Sequence, residues 1–160
     1  MRQAKQAVSL LFKKKLTIAS AESCTGGMIA SELVGFAGIS SAFLEGYVTY
    51  SNAAKVKCLG VSQETLDKHG AVSQETAYEM ALGVRKASGC DIGIATTGIA
   101  GPDGGTPQKP VGLVYIACAY KDKVVVRRYI FDGSRYQIRY SAVKRAFSLI
   151  SDTIQMFEQA

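Results

Sequence analysis

The chain has 160 residues, of which 48% are hydrophobic and 20% charged, and these values suit one ordinary globular domain over 1–160 with a continuous core. No apolar run approaches the ~18 residues of a membrane span, and the opening Met1-Arg2-Gln3-Ala4-Lys5-Gln6 does not read as a signal peptide; a cytoplasmic protein without a membrane role is expected. The net charge of +6 is dispersed over Lys13-Lys14-Lys15, Arg127-Arg128, Arg135, Arg139, Lys144 and Arg145 with no reading motif beside it, so a small anion is a better expected partner than nucleic acid.

Gln3 to Lys14 has the helical spacing, with Ala4, Ala7, Val8 and Leu11 on one face. Leu16–Ser20 reads as a strand, Gly26–Val34 as a helix stopped by Gly35-Phe36-Ala37-Gly38, and Phe43–Tyr50 as an alternating strand. A short helix is expected from Asn52 to Leu59. The pentapeptide Val-Ser-Gln-Glu-Thr then occurs at Val61–Thr65 and again at Val72–Thr76, and both copies read as helix starts capped by Ser62 and Ser73. The second helix carries Ala77, Met80, Ala81 and Val84 inward and ends near Ser88-Gly89. Asp91–Thr97 is a buried strand, followed by a loop to Gly112 that holds all the prolines. Val111–Ala119 and Val124–Phe131 form an antiparallel pair, and a last helix runs from Ser134 to Phe157. This order predicts an α/β fold, a three-layer α/β/α domain with a mixed, largely buried sheet.

Three segments hold residues suited to chemistry. Ala21-Glu22-Ser23-Cys24-Thr25-Gly26-Gly27 lies between a strand and a helix, where Ser23 is either a helix cap or a nucleophile beside free N–H groups. In Tyr47–Lys55 another strand gives way to a helix. There Lys55 is either a solvated cation or, if burial lowers its pKa, a base, and Tyr50 either packs in the core or orients a proton. The only histidine, His69, sits at a helix exit, where a cation suits the dipole. Thr96 to Pro107 leaves a buried strand and is rich in glycine. It is either a tight surface loop or a cradle for an anion, and it fits neither the Walker nor the dinucleotide pattern. Cys24, Cys58, Cys90 and Cys118 are far apart with no CxxC pair, which indicates reduced thiols and no zinc site.

Ala21–Gly27, Tyr50-Ser51-Asn52 with Lys55, His69-Gly70-Ala71-Val72-Ser73, Gly98–Gly105 and Lys109-Pro110-Val111-Gly112 occur in an order and spacing that resemble one family over about Ala4 to Phe157. The family is the CinA C-terminal domain, the PncC-type nicotinamide-nucleotide amidohydrolases. The resemblance implies conversion of nicotinamide mononucleotide (NMN) to nicotinate mononucleotide and ammonia, in pyridine-nucleotide recycling. It further implies Ser23 as nucleophile, Lys55 as base and Tyr50 assisting, with no metal and no cofactor. Substrate would be held by Thr25, Gly26, Thr97, Gly98, Ala100 and Gly101, and its phosphate by Arg135 or Arg139. Dimers or larger homo-oligomers are implied as well. A nucleotide-binding module of the same fold without turnover is the alternative, since a preserved pocket does not guarantee a neutral lysine.

Overall fold

The computed structural model of the chain describes residues 1–159. Its elements in chain order are α1 (Arg2–Lys14), β1 (Ile18–Glu22), α2 (Met28–Val34), a 3₁₀ turn (Ile39–Ser41), β2 (Phe43–Val48), α3 (Asn52–Leu59), α4 (Gln63–His69), α5 (Gln74–Ser88), β3 (Ile92–Gly98), β4 (Leu113–Tyr120), β5 (Lys123–Ile130) and α6 (Arg135–Glu158). The sheet runs β2-β1-β3-β4-β5, with β1 parallel to both β2 and β3 and the β4–β5 hairpin antiparallel. It is the expected α/β architecture, a mixed sheet covered by helices.

Alternation along the strands assigns the two faces different work. Ile18, Ile92, Ile94, Ile116 and Cys118 point into one core with α1, α2 and α6, where Leu11, Ile138, Phe147 and Ile150 meet them. Ala19, Ala21, Ala95, Ala117 and Ala119 point the other way, against Met80, Ala81 and Val84 of α5. Bulky side chains fill the first layer, and each one fully buried contributes about 1.5–3 kcal/mol. Alanines let α5 lie close on the second. Close approach is absolute at Gly93, where a Cβ would collide with the Ala81 carbonyl, and at Gly83, where it would strike the backbone of Leu59. Gly83 thereby seats α3 on α5.

Serines start most of the helices. Ser51, Ser62, Ser73 and Ser134 each accept a hydrogen bond from the amide three residues on, and Ser134 completes a capping box with Gln137. Both copies of the pentapeptide are therefore helix starts, as their pattern predicts.

Several boundaries differ from the expected ones. Leu16 and Thr17 precede β1, because the Thr17 amide and hydroxyl are drawn to the Asp91 carboxylate at 2.8 and 2.9 Å. The strand instead continues to Glu22, paired on both sides. The helix expected from Gly26 begins at Met28, since Gly26 and Gly27 have φ of 56° and 97° and lie outside helical space. Tyr50 lies beyond β2, which ends at Val48.

Candidate active site

Three adjacent parallel strands deliver the site. Their C-terminal ends lie side by side in the order β2, β1, β3, so the segments that follow them converge on one rim. The turn after β1 carries Ser23, the turn into α3 brings Thr49, Tyr50 and Lys55, and the loop after β3 supplies Thr97 to Gly104. Ser23, Cys24, Tyr50, Lys55, Thr97, Gly98, Ala100, Gly101 and Arg135 line one cleft of about 270 Å³.

Lys55 decides what this cleft can do. Its side chain is 1% exposed, the most deeply buried cation of the chain among the described residues. The amine lies 3.1 Å from Ser23 Oγ and 2.8 Å from the Thr49 carbonyl oxygen. Among the described residues, no carboxylate pairs with it. Burial pushes its pKa below the ordinary lysine value. The two acids nearest in sequence to the site are engaged elsewhere. Glu45 accepts from the Tyr47 hydroxyl, and Glu22 accepts from the Thr25 hydroxyl and from the Ile29 and Ala30 amides.

Glu22 also takes the place of a serine cap at α2. The start of α2 is capped by the Glu22 carboxylate, reaching from the end of β1, while Gly27 at the N-cap position offers no side chain. Ser23 caps nothing; its hydroxyl faces Lys55. The same carboxylate covers the positive end of α2, so that dipole is not free to act on the cleft. Burial pushes the thiol of Cys24, the neighbouring wall residue, up to about 12.

Tyr50 is 64% exposed and its hydroxyl accepts from Arg135 Nη2 at 3.2 Å. It belongs to the cleft wall rather than to the core, and it touches Arg135 rather than Lys55. Arg135 Nη1 donates to the Gly101 carbonyl at 2.8 Å, which ties the start of α6 to the glycine loop. The Thr97 hydroxyl donates to the Ala71 carbonyl at 2.7 Å and draws Ala71 and Val72 into the wall.

Three expected binding residues stand behind the turn instead of in the wall. Arg139 donates through Nε and Nη2 to the Cys24 and Thr25 carbonyls, both at 3.0 Å. Thr25 is fully buried between Glu22 and Thr96. The Gly26 amide donates to the Ser23 carbonyl at 3.1 Å, and Arg139 fills the space beside its Cα. Sequence reasoning gave no role to Glu22 as a cap or to Ala71 and Val72 as wall. A buried acid closing a strand was the available signal for the first; nothing local signals the second.

Among the described residues, no group of three or more histidine, cysteine, aspartate or glutamate side chains is placed to hold a metal ion, and no helix is long and apolar enough to cross a membrane.

Comparison with known proteins places this arrangement. The CinA C-terminal domain profile matches residues 1–154. A CinA-like protein of Kosmotoga olearia is 54% identical over 143 residues, which cover 89% of this chain and 35% of that protein. The chain thus spans about a third of the length of that curated relative. The crystal structure of the competence/damage inducible protein CihA from Agrobacterium tumefaciens superposes with a TM-score of 0.90 at 40% identity, over 93% of this chain and 92% of the other. A CinA-superfamily protein of Klebsiella pneumoniae gives 0.93 at 32% identity, covering 97% of each chain. With its five-stranded mixed sheet, its sequence and its solved neighbours in agreement, the chain belongs to the CinA C-terminal domain family.

Proposed function

We propose that the chain is a serine amidohydrolase that converts NMN to nicotinate mononucleotide and ammonia. The observation that carries the reading is the buried contact between Lys55 Nζ and Ser23 Oγ, made without any carboxylate partner. A neutral amine in that position accepts the serine proton as Oγ attacks the amide carbon. One N–H of the amine remains on the Thr49 carbonyl and holds the lone pair toward Oγ. The protonated lysine then gives its proton to the departing nitrogen, the C–N bond breaks, and ammonia leaves a nicotinoyl ester on Ser23. Water, deprotonated by the same lysine, cleaves the ester and restores the hydroxyl. The negative charge on the carbonyl oxygen requires N–H donors, and the turn after Ser23 supplies them.

Arg135 and the glycine loop form the end of the cleft suited to the phosphate. A guanidinium matches phosphate geometry, and Arg135 already stands in the wall beside Gly101 and Tyr50. Tyr50 is placed to orient the nucleotide through its hydroxyl.

Ammonia release from NMN tests the reading. The parental protein should release it, and Ser23→Ala should abolish release while remaining folded, since Ser23 caps no helix. Substantial turnover by a folded Ser23→Ala protein would refute the nucleophile. A parental protein that binds NMN without releasing ammonia would be a binding module instead.

A further inference from the structure

The peptide groups that follow Ser23 are held by their carbonyl oxygens. The Ser23 carbonyl accepts from the Gly26 amide at 3.1 Å, and the Cys24 and Thr25 carbonyls accept from Arg139 Nε and Nη2, each at 3.0 Å. In a planar trans peptide the N–H points opposite to the C=O. Fixing the Ser23 and Cys24 carbonyls therefore fixes the direction of the Cys24 and Thr25 amides, and the Thr25 amide points away from Arg139. Ser23 and Cys24 line the cleft, whereas Arg139 and the fully buried Thr25 do not, so the Cys24 amide is the one at the cleft. The Gly26 amide is consumed within the turn, whereas those of Cys24 and Thr25 donate to no carbonyl or carboxylate among the described residues.

A cation bonded to a carbonyl also polarises its peptide and strengthens the N–H at the other end. No other cation does this for the turn. The amides at the start of α2 are taken by Glu22, and Lys55 serves as base only while neutral. Arg139 is moreover held rigidly by two carbonyls and by van der Waals contact at Gly26, whose missing side chain leaves room for the guanidinium.

We propose that Arg139 is a positioning residue for the reaction: its bond to the Thr25 carbonyl polarises the Thr25–Gly26 peptide, whose amide holds the Ser23 carbonyl, and this relay aims and polarises the Cys24 amide toward the oxygen on which negative charge develops. The proposal rests on Ser23 being the nucleophile. It assigns Arg139 to rate and leaves recognition of the phosphate to Arg135.

Two reactions of the full chain separate these roles. One is steady-state turnover of NMN. The other is single-turnover acylation of Ser23 by p-nitrophenyl acetate, a neutral ester with neither ribose nor phosphate. In Arg139→Ala, acylation by the ester and kcat for NMN should fall together by about ten- to a hundredfold, less than the loss of a direct oxyanion donor, with KM nearly unchanged. Arg139→Lys keeps the charge but replaces the fork by a single ammonium, and it should lose rate in the same two reactions if it folds more readily than the alanine variant. A raised KM for NMN with parental ester acylation would overturn the proposal and return Arg139 to the phosphate. Rates that track only the folded fraction, measured by circular dichroism, would overturn it in favour of a purely structural clamp. A parental protein acylated by the ester but inactive on NMN would refute the substrate and leave the Arg139 result standing on the ester. Failure of the ester to acylate Ser23 would overturn the nucleophile and this proposal with it.

Discussion

Lys55→Met separates the cost of burying the lysine from its use. Methionine has similar length and no titrating proton. In the parent, the amine is buried, faces only Ser23 Oγ and the Thr49 carbonyl, and has its pKa lowered by burial. The unfolded chain holds that proton with lysine's ordinary affinity. Between the lowered value and about 10.4, the unfolded state therefore binds more protons than the folded one, and folding stability rises with pH. The penalty is complete below the lowered pKa and gone above the ordinary one. One such group contributes a slope of at most about 1.4 kcal/mol per pH unit. The methionine variant loses this slope. It instead pays a pH-independent penalty of roughly 1–3 kcal/mol for a Thr49 carbonyl left without its donor. Urea unfolding of both proteins across about pH 7 to 10 gives the difference in stability, parent minus variant, with other titrating groups cancelling. That difference should climb with pH, and turnover should fall by about 10²–10⁴-fold, the usual contribution of a general base. A difference that stays flat with pH, or that falls, would refute a lysine disfavoured in its charged form.

Arg135→Ala should raise KM for NMN by about ten- to a hundredfold, the equivalent of 1.5–3 kcal/mol for a charge-assisted contact, and should leave kinetics on the riboside nearly unchanged. Equal effects on both substrates would remove Arg135 from the phosphate site. Gly83→Ala places a Cβ against the Leu59 backbone and should destabilise the chain by about 1–3 kcal/mol in thermal or urea unfolding. Because Leu59 ends α3, the variant should also lose kcat as Lys55 is displaced from Ser23; unchanged stability and turnover would show that α3 yields freely.

Helix starts were legible because their signals are local. Ser62, Ser73 and Ser134 carry their caps in their own side chains, and the amides they bind are three residues away. Strand limits were less so. Leu16 and Thr17 have strand character, yet Thr17 answers to Asp91, a partner 74 residues distant. The three segments of the cleft were also readable as unusual composition at strand ends. Their division of labour was not. Arg135 and Arg139 lie one turn apart and look equivalent in sequence, and only the packing of α6 on the Ser23 turn sends one to the cleft and the other to the backbone. The burial of Lys55 is likewise a property of three converging strand ends, which no window of sequence contains.

The carboxylate of Glu22 has a consequence for how salt acts on the chain. Its negative charge sits on the amides that would give α2 a positive end, and the two largely cancel beside Ser23. The Ser23 hydroxyl and the Lys55 amine, whose charged form burial disfavours, complete that corner of the cleft. With Arg139 set behind it on the Cys24 and Thr25 carbonyls, this buried corner gives mobile ions little access. Arg135, at the accessible mouth, is the cation left for ionic strength to act on. Under the proposed function, capture of the anionic substrate is then the step that the medium weakens, while chemistry at Ser23 proceeds in a compartment that salt scarcely reaches.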